Sequence, residues 1–182
     1  MRVPAIPKLI TKSGSPFPAG EGGQGVRSEP NLNVVLVRPE IPQNTGSIAR
    51  LTAATRVRLH LVGPLGYSLE DRYLKRAGLD YWPLVDLRTY PDWAAFAAAH
   101  PNVAMKYFSA RTDQSYVTAK YQPGDFLVFG SETKGLGRDF IAAHRDDTFN
   151  IPIFERGVRS LNLSNAVSIV VYEALRQTGA IR

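Results

Sequence analysis

From Asn31 onward the chain alternates between short apolar runs and longer segments with helical spacing. The runs are NVVLV (33–37), RLHLVG (58–63), VAMKYFS (103–109) and DFLVFG (125–130). A strand with one wet face alternates polar and apolar residues, whereas a strand covered on both faces stays apolar. Between the runs, PQNTGSIARLTAAT (42–55) begins with proline, which suits a first helical turn, and carries Ile48 and Leu51 at helical spacing. SLEDRYLKRAG (68–78), PDWAAFAAAH (91–100) and LNLSNAVSIVVYEALRQTG (161–179) read as further helices, with Gly78 and Gly179 as stops. A short strand is expected around PLVDL (83–87) and an extended stretch at FNIPIF (149–154). Strands alternating with helices predict an α/β fold, a mostly parallel sheet flanked by helices. In such folds ligands bind at the carboxyl ends of the strands.

The first 30 residues differ. They hold five Gly and five Pro, a composition that cannot bury enough apolar surface to offset chain entropy. Residues 1–30 are therefore expected to be a flexible N-terminal extension and residues 31–182 one domain. Gly20 to Gly25 satisfies the spacing of a dinucleotide-binding loop, but no strand precedes it and no helix follows. Pro4, Pro7 and Lys8 interrupt any secretory signal.

Composition narrows the chemistry. The absence of cysteine excludes disulfides, thiolate metal sites and cysteine nucleophiles, and fits a cytoplasmic protein. The three histidines, His60, His100 and His144, have no metal-ligand spacing, so no metal is expected. A net charge of +6 suggests an anionic partner, nucleic acid above all. No apolar run approaches the length of a membrane span.

Three polar clusters follow expected strands. The first, RPEIPQNTGSIAR, carries Asn44 and Arg50. The second, FGSETKGLG, has the glycine spacing of a phosphate-binding loop, but Leu136 and Gly137 stand where its Lys and Ser/Thr belong. The third, RGVRSLNLSNAV, places Ser160, Asn162, Ser164 and Asn165 around a helix start. Each cluster alone is better explained by capping and turn chemistry, which are common.

Together, the order and wording of EIPQNTGSIAR, RAGLDYW, FGSETKGL and SLNLSNAV closely resemble the SPOUT class of S-adenosylmethionine-dependent RNA methyltransferases. Within it, residues 31–182 resemble the small tRNA 2′-O-methyltransferases that act on the wobble cytidine or uridine. The resemblance implies a SPOUT-type fold with a C-terminal trefoil knot, S-adenosyl-L-methionine as cofactor, tRNA as substrate, and a homodimer with the active site near its interface. It implies Phe108, Gly130, Ile151, Ser160 and Leu161 as cofactor contacts, with Gly130 letting the backbone approach the ligand. The start of the last helix would attract the cofactor's carboxylate. Arg50, Asn44 and Asn162 are implied as catalytic residues. A guanidinium is always protonated, so Arg50 is expected to grip a phosphate or stabilise an alkoxide rather than act as base. Asn44 and Asn162 would orient Arg50 or the ribose, and Glu132 would accept loop N–H groups. Arg72, Lys75 and Arg76 share a helical face and, with Arg156 and Arg159, suit RNA docking, while Tyr81, Trp82 or Tyr172 could stack on a base. The same reaction at another tRNA or ribosomal RNA position, and a binding module without activity, remain the alternatives.

Overall fold

The computed structural model describes residues 32–69 and 81–181. The expected N-terminal extension and most of the 68–78 helix, with Arg72, Lys75 and Arg76, lie outside the described residues. Six strands form one sheet: β1 (Asn33–Val37), β2 (Arg58–Val62), β3 (Leu87–Tyr90), β4 (Met105–Phe108), β5 (Phe126–Phe129) and β6 (Thr148–Phe149). Their order is β3-β2-β1-β5-β4-β6, and every neighbouring pair is parallel. The expectation of a parallel α/β fold is met.

Side-chain parity sorts the core. Val34 and Leu36 of β1 face one side with Leu59, Leu61, Leu127 and Phe129. Val35 and Val37 face the other with Val62, Phe126 and Val128. The first face is covered by α1 (Pro42–Thr55) and α4 (Leu163–Gln177), the second by α2 (Trp93–Ala99) and α3 (Arg138–Ala143). Helix α4 buries Val167, Val170, Val171 and Ala174, a spacing of three, four and seven that puts all four on one stripe. Burying each valine contributes roughly 1.5–3 kcal/mol. Among the described residues, no helix is long and apolar enough to cross a membrane.

Local chemistry sets the helix ends. Pro42 opens α1, where its missing N–H costs nothing. Arg56 closes it in the left-handed conformation (φ 56°), its N–H bonded to the Thr52 carbonyl. Asp92 caps α2 by accepting from the Ala95 N–H. Two expected strands differ from the sequence reading. Residues 82–84 form a 3-10 turn and pairing with β2 begins only at Leu87. Of FNIPIF, only Phe149 joins a strand, because β4 ends at Phe108 and offers no further ladder. Helix α3, which the sequence did not announce, has six residues behind the glycine-rich stretch.

Candidate active site

The outgoing connections of β1 and β5 run in opposite directions along the sheet, leaving a crevice between their carboxyl ends. The loops after these two strands are clasped reciprocally. The Glu132 carboxylate accepts the N–H of Glu40 (2.8 Å) and of Ile41 (3.2 Å). The Glu40 carboxylate in turn accepts the Thr133 N–H (3.2 Å) and hydroxyl (2.9 Å). Ile41 is the N-cap of α1 and offers no side-chain cap. Glu132 therefore does from another loop what the acid of a capping box does from within a helix.

The clasp continues as a directed chain. Asn44 Nδ2 donates to Glu132 (2.9 Å), and Asn162 Nδ2 donates to Asn44 Oδ1 (2.9 Å). Asn162 Oδ1 accepts from the N–H of Ser164 (2.9 Å) and Asn165 (3.3 Å) and from the Ser164 hydroxyl (2.7 Å). Both amides are thereby fixed in orientation, and among the described residues each keeps one N–H on Nδ2 without an acceptor. Glu132 acts as the acceptor of loop N–H groups that the sequence suggested. Nearby, Tyr67 hydrogen-bonds Thr45, and burial, with the Glu132 charge adding, pushes its phenol up to about 12.

A cavity of about 860 Å³ opens beside this chain. That volume is within the range of small-molecule sites. All five expected cofactor positions, Phe108, Gly130, Ile151, Ser160 and Leu161, line it, as do Asn44, Asn162 and Glu132. Apolar side chains from the ends of β4 and β5 meet basic groups at Arg111, Lys134 and Arg159. A flat heterocycle with a charged tail fits such a lining, as S-adenosylmethionine requires. Asn150 Oδ1, next in the chain to Ile151, is a buried acceptor without a donor among the described residues. The described residues contain no group of three His, Asp or Glu side chains placed to hold a metal.

Several sequence expectations change here. Arg50 does not line the cavity; it lies exposed on α1 with its guanidinium 5.4 Å from the centre of the Tyr81 ring. Six residues along a helix turn a side chain through about 600°, so Arg50 and Asn44 point some 120° apart. Arg50 is accordingly not what Asn44 and Asn162 orient. Tyr81 is buried, with its hydroxyl donated to the Gly46 carbonyl, and offers no face for base stacking. Trp82 packs partly buried against the core, while Tyr172 stands 51% exposed. Gly130 has a further reason to be glycine, one that lies in its own loop. A Cβ there would meet the backbone of Gly135 at 2.0 Å and Leu136 at 2.2 Å. Its own loop, closed by the Ser131–Gly135 bridge, excludes a side chain. The start of α4 is not an open anion site either, since Asn162 already occupies the N–H groups of Ser164 and Asn165. Sequence reasoning gave no role to Glu40, Thr133 or Arg111. Glu40 stands inside the quoted EIPQN stretch, but its partner is 93 residues away and only the sheet order brings them together.

Known proteins share this fold and much of this sequence. Residues 31–172 match the profile of the SpoU rRNA Methylase family. A tRNA (cytidine(34)-2'-O)-methyltransferase of Burkholderia ambifaria is 47% identical over 151 residues, 81% of this chain and 96% of that relative. A structure described as giving insights into the 2-OH methylation of C/U34 on tRNA superposes with a TM-score of 0.77 at 48% identity. It covers 82% of this chain and 97% of the other. The SpoU methyltransferase AviRb from Streptomyces viridochromogenes, in complex with AdoMet, superposes with a TM-score of 0.68 at 26% identity, covering 86% of this chain and 61% of the other.

Proposed function

The chain belongs to the SpoU rRNA methylase family, and we propose that it transfers a methyl group from S-adenosylmethionine to the ribose 2′-oxygen of the wobble cytidine or uridine in tRNA. The observation that carries this reading is the cavity at the carboxyl ends of β4 and β5, bordered by the Glu132–Asn44–Asn162 chain. S-adenosylmethionine, when bound, supplies a methyl carbon activated by a sulfonium. Phe108, Ile151 and Leu161 offer it apolar surface, and Gly130 and Ser160 offer backbone groups. No metal is needed for such a transfer.

The chain's own residues prepare the acceptor. The free N–H on Asn162 and that on Asn44 are held at the cavity wall, where both can donate to a ribose oxygen as negative charge grows on it. Glu132 has three N–H donors on its carboxylate and serves orientation rather than proton removal. Arg50 lies outside the cavity; its role in this reading is to grip the RNA phosphate beside the target ribose. The reading extends to a cytoplasmic homodimer and to a C-terminal trefoil knot. Exposed Ile169 and Tyr172, one turn apart on α4, give a second copy an apolar face to cover. The segment after β4 is bonded to the segment around β6 through Ser109–Phe149 and Tyr116–Asn150, which ties together the loops that a knot would cross.

The test is methyl transfer from labelled S-adenosylmethionine to total tRNA from cells lacking this activity, followed by nucleoside mass spectrometry. A 2′-O-methylated cytidine or uridine at the wobble position is expected. Label only in ribosomal RNA, or at another tRNA position, would overturn the substrate assignment. The Arg50→Ala variant should keep cofactor affinity, weaken tRNA binding and lower the salt slope of that binding by about one, as loss of one phosphate contact requires.

A further inference from the structure

A second hollow opens beside the cofactor cavity. It measures about 380 Å³ and is framed by Arg111, Arg138 and Arg145, with Thr112, Asp113 and Ile141 between them. It shares Arg111 and Ile141 with the larger cavity, so the two are contiguous. We propose that this hollow binds a backbone phosphate of the RNA substrate and so fixes the strand next to the methyl-transfer site. The proposal rests on the reading that the substrate is RNA.

The helix geometry makes the hollow a built feature. Arg138, Ile141, Ala142 and Arg145 all line it, at spacings of three, four and seven. Arg138, Ile141 and Ala142 share one side of α3, and Arg145 reaches the same hollow from the 3-10 turn Arg145–Asp147 that follows His144. A stripe of this kind is normally apolar and buried, but here an arginine stands at each end. Arg111, carried by the loop after β4, closes the third side. None of the three guanidiniums has a carboxylate partner within the described residues. By contrast, Arg58, Arg88, Lys106 and Arg176 are all paired. Asp113 also lines the hollow, but one carboxylate against three guanidiniums leaves it positive.

Unpaired cations around one hollow repel one another, and an oxyanion relieves that repulsion. Guanidinium forks match phosphate oxygens in geometry as well as charge. The three side chains are exposed, which suits a polyanion whose successive phosphates each add a contact. A site for a free small anion would need enclosed donors. Contacts of this kind set register without reading sequence.

The experiment compares wild type with the double variant Arg138→Gln/Arg145→Gln, which spares Arg111 because it also lines the cofactor cavity. tRNA binding is measured across a salt series, KM for tRNA under methyl-transfer conditions, and S-adenosylmethionine affinity by calorimetry. Loss of this phosphate contact should lower the slope of log affinity against log salt by about one and raise KM roughly tenfold. Cofactor affinity should stay unchanged. The Arg138→Lys/Arg145→Lys variant should regain most of the slope, and Lys120→Gln, which lines neither cavity, should leave it alone. If the double variant binds tRNA with wild-type slope and KM, the phosphate site is wrong. If it instead loses only thermal stabilisation by inorganic phosphate, the hollow is a free-anion site and the RNA assignment is overturned. Wild-type protein that binds no tRNA at all would sink the functional reading itself, a result distinct from either of these.

Discussion

At the scale of single residues, His60 is held by both ring nitrogens away from the candidate site. It is fully buried in β2, between Asn33 Oδ1 (3.1 Å) and the Tyr90 hydroxyl (3.2 Å). Asn33 Nδ2 donates to the Gly124 carbonyl, so its Oδ1 is the acceptor and His60 carries its proton on Nε2. His60 Nδ1 then accepts from the Tyr90 hydroxyl, whose oxygen accepts from His100 Nε2 (2.8 Å). Every partner is satisfied with both histidines neutral. Burial holds His60 down at about 3, and lowers His100 for the same reason, each with neighbouring positive charge adding to the effect. A folded-state pKa below the unfolded value means that the unfolded chain takes up the proton first. Stability is therefore whole above about pH 6.5 and is lost as pH falls from there toward 3. The slope approaches about 1.4 kcal/mol per pH unit for His60 alone. Urea titrations at stepped pH should show this limb, and His60→Gln should flatten it. An unchanged limb in that variant would mean that the acid sensitivity arises elsewhere. The sequence showed His60 inside an apolar run but not its partners, which lie on β1, β3 and the end of α2.

At the scale of elements, periodicity was most informative where an element buries a full stripe. The bounds of β1 and α1 agree with the sequence, and α4 lies inside the expected segment. It was least informative where pairing decides. A strand at β3 or β6 exists only as far as its neighbour offers a ladder, and no local pattern carries that limit. The two asparagines show the same division. Asn162 was legible as a cap, which it is, but its bond to Asn44 spans 118 residues and needed the helices to be packed together. Gly130 belongs to this scale as well, because its loop folds back upon it. Gly130→Ala places a Cβ about 2.0 Å from backbone that cannot give way. Its loop must then open, releasing the clasp between Glu132 and the start of α1. Cofactor affinity is expected to fall at least tenfold while the far-UV circular dichroism stays near wild type. Wild-type affinity in this variant would show that the loop's closed form is not needed for binding.

At the scale of the whole molecule, the strand order explains why three distant polar clusters become one site. The chain winds outward from β1 to β3, then returns to place β5 beside β1, bringing residues 39–44 against 130–135. The parallel sheet was legible in the sequence; this order was not, since apolar runs carry no label for their neighbours. Ile169 and Tyr172 remain exposed on α4. Light scattering should find a dimer at micromolar concentration, and Tyr172→Arg should shift it toward monomer; a wild-type monomer would contradict the assembly proposed above. The central claim, ribose methylation at the wobble nucleotide, is tested most directly with two synthetic anticodon stem-loops that differ only at the wobble sugar. One carries the ordinary 2′-hydroxyl and the other a 2′-deoxyribose. Labelled methyl transfer to the first and none to the second is the predicted result. Equal labelling of both would place the methyl group on another atom and contradict the account.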